Sequence, residues 1–146
     1  MHTDTKSLVF LVLQIIAVAF VLVTGPLFLQ NIPFLLMQII GLLLIFWALL
    51  AKKVNKPVHI TNAPKGSFLV MKGPYEIIRH PIYAGLLLIM AGFVEGYLSL
   101  PRMLAFAVVL VVTILKIAHD EQLLKESYHD YEAYKAKTHK IIPYFY

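Results

Sequence analysis

From Ser7 to Ala51 the chain runs for 45 residues without a single Asp, Glu, Lys or Arg. That length suffices for two bilayer crossings at roughly 20 residues each. Gly25-Pro26 interrupts the run as a helix-ending or kinking pair, and Gln30-Asn31-Ile32-Pro33 has the composition of a tight turn. The pattern therefore predicts one helix over Leu8–Leu29 and a second returning over Phe34–Ala51, with Gln38 and Trp47 as its interior polar groups. A long polar connection follows, Lys52 to His80, broken by Pro57, Asn62-Ala63-Pro64 and Lys65-Gly66-Ser67. Within it, Ser67–Met71 is suited to lie extended, as a lid or at the membrane interface. Two shorter apolar runs, Pro81–Leu98 and Met103–Ala118, are joined by Ser99-Leu100-Pro101 and predict a third and a fourth span. Ile117, Leu124, Tyr128 and Tyr131 then continue an apolar stripe at helical spacing through a charged region. The fourth helix is thus expected to run past the membrane and rest this face on something.

Composition agrees with the pattern. The 146 residues are 60% hydrophobic and 14% charged, against roughly 25% charged in soluble domains. The first apolar run also exceeds the roughly 7–15 residues of a signal-peptide core and is followed by more hydrocarbon. With no cysteine there is no disulfide, thiolate metal site or Cys nucleophile. The net charge of +5 is best read as topology and anionic lipid rather than nucleic acid. Placing both termini and the 52–80 loop in the cytoplasm puts 12 of the 13 Lys and Arg there and leaves Arg102 outside. The expected fold is all-α: a polytopic membrane protein with four transmembrane helices in two antiparallel hairpins and a cytoplasmic C-terminal helical extension. It forms one domain over 1–146, divided into a scaffold hairpin 7–51, a cytoplasmic loop 52–80, a catalytic hairpin 81–118 and a C-terminal helix and tail 119–146.

Candidate chemistry gathers where the loop becomes the third span, Gly73-Pro74-Tyr75-Glu76-Ile77-Ile78-Arg79-His80-Pro81-Ile82-Tyr83-Ala84-Gly85. Proline suits the first turn of a helix, where its missing N–H is not needed. A helix starting at Pro81 would leave the N–H groups of Ile82, Tyr83 and Ala84 facing Arg79 and His80, a site for a carboxylate or phosphate. The second group is Asp120-Glu121. Glu121 falls on the buried stripe and needs a partner, whereas Asp120, Lys125, Glu126 and Asp130 are free to face water. Taken singly, Arg79 and His80 are also explained by snorkelling, and Tyr75 and Tyr83 by an aromatic belt. Gly92 and Gly96 have the spacing of a close helix contact, within the chain or in an oligomer. The apolar tail Ile141–Tyr146 is suited to fold back onto the site or the bilayer interface.

Gly-Pro-Tyr followed by Arg-His-Pro-x-Tyr-x-Gly, then an acidic pair ahead of Leu124 and a Tyr-rich helix ending near Pro143, resembles the isoprenylcysteine carboxyl methyltransferase and phospholipid methyltransferase superfamily of integral membrane enzymes. The resemblance covers roughly 66–143. Asp120 stands where the family has Glu, Tyr128 stands without a following glycine, and Tyr131 and Tyr134 come one residue early. The resemblance implies methyl transfer from S-adenosylmethionine to a lipophilic acceptor entering from the bilayer. It implies a cofactor pocket involving Tyr75, His80, Pro81, Tyr83, Gly85, Glu121 and Leu124, with Arg79 and Glu121 as catalytic residues. Such a transfer needs no metal or covalent nucleophile. Two alternatives remain: an NADPH-dependent membrane sterol-type reductase, whose related segment reads Arg-His-Pro-Asn-Tyr-x-Gly-Glu where this chain has Ile82 and Leu86, and a non-enzymatic membrane subunit assembling through Gly92/Gly96 and the basic loop.

Overall fold

A computed structural model describes residues 5–25, 31–54, 69–128 and 130–143, with side chains from residue 8 onward. It is helical, with no β-strand among the described residues: α1 Thr5–Val23, α2 Ile32–Val54, a 3-10 turn Gly73–Glu76, α3 Pro81–Gly96, α4 Leu100–Ser127 and α5 Tyr131–Lys137. Residues 26–30 and the 55–68 part of the loop, including Ser67 and Phe68, lie outside the described residues, and Ile32-Pro33, expected in the first turn, instead open α2. Two helices, α2 and α4, are long and apolar enough to cross a membrane, and α1 and α3 supply shorter apolar helices.

The bundle is apolar on its outside. Leu8, Ile15, Ile16, Leu42, Leu43, Phe46 and Val111 are exposed, while Gln14, Gln38 and Thr113 are buried. In water such an arrangement would leave a large apolar surface uncovered. In a bilayer the lipid covers it, and polar side chains turned inward bind helices together.

The two expected hairpins, α1 with α2 and α3 with α4, are not the chief packing units: α2 packs most extensively on α3, and α1 on α4. Small residues explain the first pair. A Cβ added to Gly41 would stand 2.6 Å from the Gly85 carbonyl oxygen, and one added to Gly85 would stand 2.6 Å from the Gly41 carbonyl oxygen and from Ile45 Cγ1. Gly92 continues the contact, with the Phe34 carbonyl oxygen 2.8 Å from the position of its missing Cβ. The close contact expected of the Gly92/Gly96 spacing is thus met at Gly92 by α2 of the same chain, which takes that residue out of any oligomer surface. Polar groups bind the second pair. Gln14 Nε2 on α1 donates to Thr113 Oγ1 on α4 at 2.8 Å, buried.

Arg102, the one basic residue that the charge count leaves outside, is almost wholly buried. Its guanidinium donates to the carbonyls of Val21 and Phe93, both at 2.7 Å, and to Thr24 Oγ1 at 3.1 Å. Val21 and Phe93 lie in the last turns of α1 and α3, where carbonyls lack intrahelical donors and the helix dipole is negative. One cation from the first turn of α4 therefore caps two other helices.

At the opposite end, α4 runs unbroken past Ala118, as the stripe predicts, but stops at Ser127. Tyr128 is extended (φ −130°, ψ 115°) and caps it. The Tyr-rich segment is consequently a separate short helix, α5, rather than a continuation. Tyr128, Tyr131 and Tyr134 bury their rings together with Leu69, which fixes the near end of the loop. Ile78 and His139 form a parallel bridge. The His139 N–H donates to the Ile77 carbonyl (3.0 Å), the Arg79 N–H to the His139 carbonyl (2.7 Å) and the His80 N–H to the Lys140 carbonyl (3.1 Å).

Candidate functional site

The turn that carries the motif is anchored before α3 begins. Gly73 adopts φ 66°, a left-handed conformation that glycine takes without strain. Pro74 then starts the 3-10 turn that buries Tyr75 against Ala48 and Ala51 of α2. Pro81 opens α3 as expected, with His80 as its N-cap. Of the three N–H groups expected to stay free, that of Ala84 is not: it donates to the His80 carbonyl at 3.0 Å and closes the first turn. Those of Ile82 and Tyr83 remain outside the helix ladder.

Glu121 finds the partner that its burial demands, and the partner is Arg79. Arg79 Nε donates to Glu121 Oε1 at 2.8 Å. The Arg79 Nη1 group donates to the Lys135 carbonyl at 3.2 Å, to the Thr138 carbonyl, and to Thr138 Oγ1 at 3.3 Å. Arg79 is thereby committed: it ties the start of α3 to α4 and to the carbonyl end of α5, where a cation is favoured. His80 Nε2 lies 3.5 Å from the same Glu121 oxygen, too far for a well-formed hydrogen bond but close enough for electrostatic attraction. Burial opposes the Glu121 charge, but the imidazole and guanidinium beside it more than offset that and hold its pKa down at about 2. The carboxyl lies beyond the apolar 103–118 stretch of α4.

Beside this pair is a cavity of about 370 Å³, within the roughly 300–1,000 Å³ of small-molecule sites. The motif contributes Tyr75, Arg79, His80, Pro81 and Tyr83 to its wall, and α4 and α5 contribute Asp120, Leu124, Tyr131 and Tyr134. Lys52, Leu69 and Val70 complete one side. The His80 and Tyr83 rings stack, with centroids 5.7 Å apart. The Tyr83 hydroxyl donates to Asp120 Oδ2 at 2.9 Å, and Tyr134 donates to the Tyr75 carbonyl at 2.7 Å. Three buried polar atoms on this wall have no hydrogen-bond partner: Tyr75 Oη, His80 Nε2 and Tyr131 Oη. Their residues are at most 8% exposed, and buried polar groups rarely stay unpaired without a functional reason. Burial pushes the phenols of Tyr75 and Tyr131 up to about 12 and that of Tyr134 higher still. At neutral pH these hydroxyls are neutral hydrogen-bond donors and not bases.

The structure therefore gathers Tyr75, Arg79, His80, Pro81, Tyr83 and Leu124 around one cavity, with Glu121 behind Arg79 and His80. Gly85 does not line it, because it faces Gly41. Asp120, expected in water, is on the wall and is held by Tyr83 and by Lys116 Nζ at 3.7 Å. The tail is on the other side: Ile141, Ile142 and Pro143 line a second, almost entirely apolar cavity of about 540 Å³ with Trp47, Ile77 and Leu87. Cover from the tail is thus not what the first cavity has over residues 141–143, while 144–146 lie outside the described residues. Sequence reasoning missed Lys52 and Thr138 as members of the site. Lys52 carried a usable signal, as the first charge at the end of the second apolar run. Thr138 carried none.

Residues 30–131, well over half of the chain, match the family described as phospholipid methyltransferase. No individual curated protein matches the sequence. The matched stretch contains α2, the 3-10 turn, α3, α4 and the Arg79–Glu121 pair around which the cavity is built. The chain belongs to the phospholipid methyltransferase family.

Proposed function

We propose that the protein is a multi-pass membrane enzyme that transfers the methyl group of S-adenosylmethionine to a lipophilic acceptor at the cytoplasmic face. The observation that carries this reading is the cavity itself. It joins the two motifs of a methyltransferase family, and three buried polar atoms on its wall lack partners. The wall fits such a cofactor. His80 and the unpaired N–H groups at the start of α3 suit a carboxylate, the Tyr131 phenol can donate to a ribose or ring acceptor, and Leu124 and Tyr131 offer apolar and aromatic surface to a purine. When bound, the cofactor supplies a methyl group activated by its sulfonium.

The side chains of the protein contribute position and exclusion of water, the two main demands of an in-line displacement. Arg79 and Glu121 act as positioning residues: the pair holds His80 from behind and closes α5 over the cavity. Glu121, held at about 2, and the high tyrosine pKa values make these groups poor proton acceptors at neutral pH. The outward apolar faces and the Lys and Arg distribution support four crossings by α1 to α4 with the site on the basic side. The acceptor enters from the bilayer, and an acceptor that needs no deprotonation suits this wall best.

Calorimetry of the detergent-purified chain with S-adenosylhomocysteine, S-adenosylmethionine and NADPH tests the reading. Both sulfur compounds should bind and NADPH should not, and His80→Ala should weaken both by about tenfold, or ~1.4 kcal/mol. Binding of NADPH alone, or of none of the three, would refute it.

A further inference from the structure

Arg79 is the cation of the carboxylate or phosphate site that the sequence offers at the start of α3, yet its Nε and Nη1 groups are committed to Glu121, Lys135 and Thr138. The charge of Asp120 is met by Lys116 and by the Tyr83 hydroxyl. Among the described residues this leaves Lys52 as the cation on the cavity wall without an acidic partner. It sits in the last turn of α2 and is exposed, with Nζ 5.8 Å from the centre of the Tyr75 ring. Although the ring is buried, the ammonium is exposed, and a cation–π contact made by a solvated cation is only weakly held, so the ammonium can swing to an anion at small cost. The hydroxyl of Tyr75, which lines the same cavity, is buried and unpartnered, and burial keeps it protonated as a donor.

We propose that Lys52 and the Tyr75 hydroxyl form an anion-recognition subsite at the mouth of the cavity, receiving the phosphate or carboxylate of an amphiphilic acceptor. The assignment of that amphiphile as the methyl acceptor rests on the methyltransferase reading, whereas the subsite itself rests on the charges of the wall. The ammonium can only donate, and the phenol donates its proton although its oxygen can also accept. An anionic headgroup takes both protons and meets the charge of Lys52, whereas a hydroxyl headgroup brings no counter-charge and an ammonium headgroup is repelled by Lys52. Lys52 is thus a specificity-determining residue, selecting among lipids by headgroup charge while the apolar parts of the wall tolerate many chains.

The test compares four probes with one C18 chain, oleyl phosphate, oleate, oleylamine and oleyl alcohol, titrated into the full chain in maltoside detergent. S-adenosylhomocysteine is titrated separately. Oleyl phosphate and oleate should bind at least about tenfold more tightly than the alcohol, a difference of ~1.4 kcal/mol. Lys52→Ala should remove that preference, Lys52→Arg should keep it, and Lys53→Ala, one residue along on the same exposed helix end, should leave it unchanged. S-adenosylhomocysteine affinity should be the same in wild type and Lys52→Ala. Retention of the preference in Lys52→Ala, or its absence in wild type, overturns the proposal. An equal loss of S-adenosylhomocysteine affinity in Lys52→Ala also overturns it, since Lys52 would then hold the carboxylate of the cofactor. If wild type does not bind S-adenosylhomocysteine, the methyl-transfer reading falls, while a Lys52-dependent preference still establishes the subsite. Oleyl phosphate against oleate tells which anion the subsite favours.

Discussion

Arg79 and Glu121 stand 42 positions apart in sequence and 2.8 Å apart in space. Truncating either would leave the other buried without its counter-charge, which costs more than an intact pair contributes. Glu126, five residues after Glu121, is exposed and accepts from Gln122 Nε2 at 3.1 Å. Glu121→Gln should therefore weaken S-adenosylhomocysteine binding by about tenfold or more, as expected for a hydrogen bond to a charged group at roughly 1.5–3 kcal/mol. Glu126→Gln should leave it within about twofold, and calorimetry on the two variants decides. Equal, small effects would make Glu121 a bystander. The pH dependence has a definite sign. The pKa of Glu121 lies below its ordinary value of 4.5, at about 2. The stabilisation it brings is therefore present above about 4.5 and is lost as pH falls through about 2. Thermal unfolding between pH 6 and 2 should show the wild-type advantage over Glu121→Gln shrinking across that window.

Helix ends and helix contacts set the shape of the site. Because Gly41 and Gly85 bring α2 and α3 backbone to backbone, Tyr75 can reach Ala48 and Ala51, and the ammonium of Lys52 lies over its ring. Gly85→Leu should push the helices apart and lower both the unfolding temperature and cofactor binding, although Gly85 does not line the cavity. Arg102 acts at the other end. Removing its guanidinium orphans carbonyls in the last turns of α1 and α3, at a cost of roughly 1–3 kcal/mol for each buried acceptor left unpaired. Arg102→Ala should thus lower the thermal midpoint substantially. Arg102→Lys should recover little of it, since an ammonium lacks the planar fork that spans two helix ends. Full recovery by lysine would show that charge alone mattered.

Across the whole molecule, the basic end of the bundle holds the cavity, and the far end is closed by one buried arginine. Reporters fused after Lys6, within 56–65 and after Tyr146 should all report the cytoplasm, and a reporter at Ser99 should not. A central loop on the opposite face would separate the site from soluble cofactor and would refute the proposed topology. In the proposed topology a water-soluble ligand and a lipid would approach one cavity from different phases.

Much of this was written in one dimension. Charge-free length established the apolar helices, because crossing hydrocarbon demands length and composition rather than particular contacts. The ring of Pro81 established where α3 begins, since its φ is set before any tertiary contact forms. The spacing of Ile117, Glu121 and Leu124 showed that Glu121 faces inward and would need a partner. That partner came only from the fold. Periodicity says which face of a helix is buried, and not which helix covers it, so α1 on α4 and α2 on α3 could not be read from hairpins adjacent in sequence. The parallel pairing of 77–80 with 139–140 is too short to carry an alternating pattern, and it is what brings Thr138 to Arg79 and carries residues 141–143 to the second cavity. Charge counting likewise treated Arg79 and Lys52 as equals in one basic loop. Which of them was committed and which remained available was decided by where α4 and α5 came to rest.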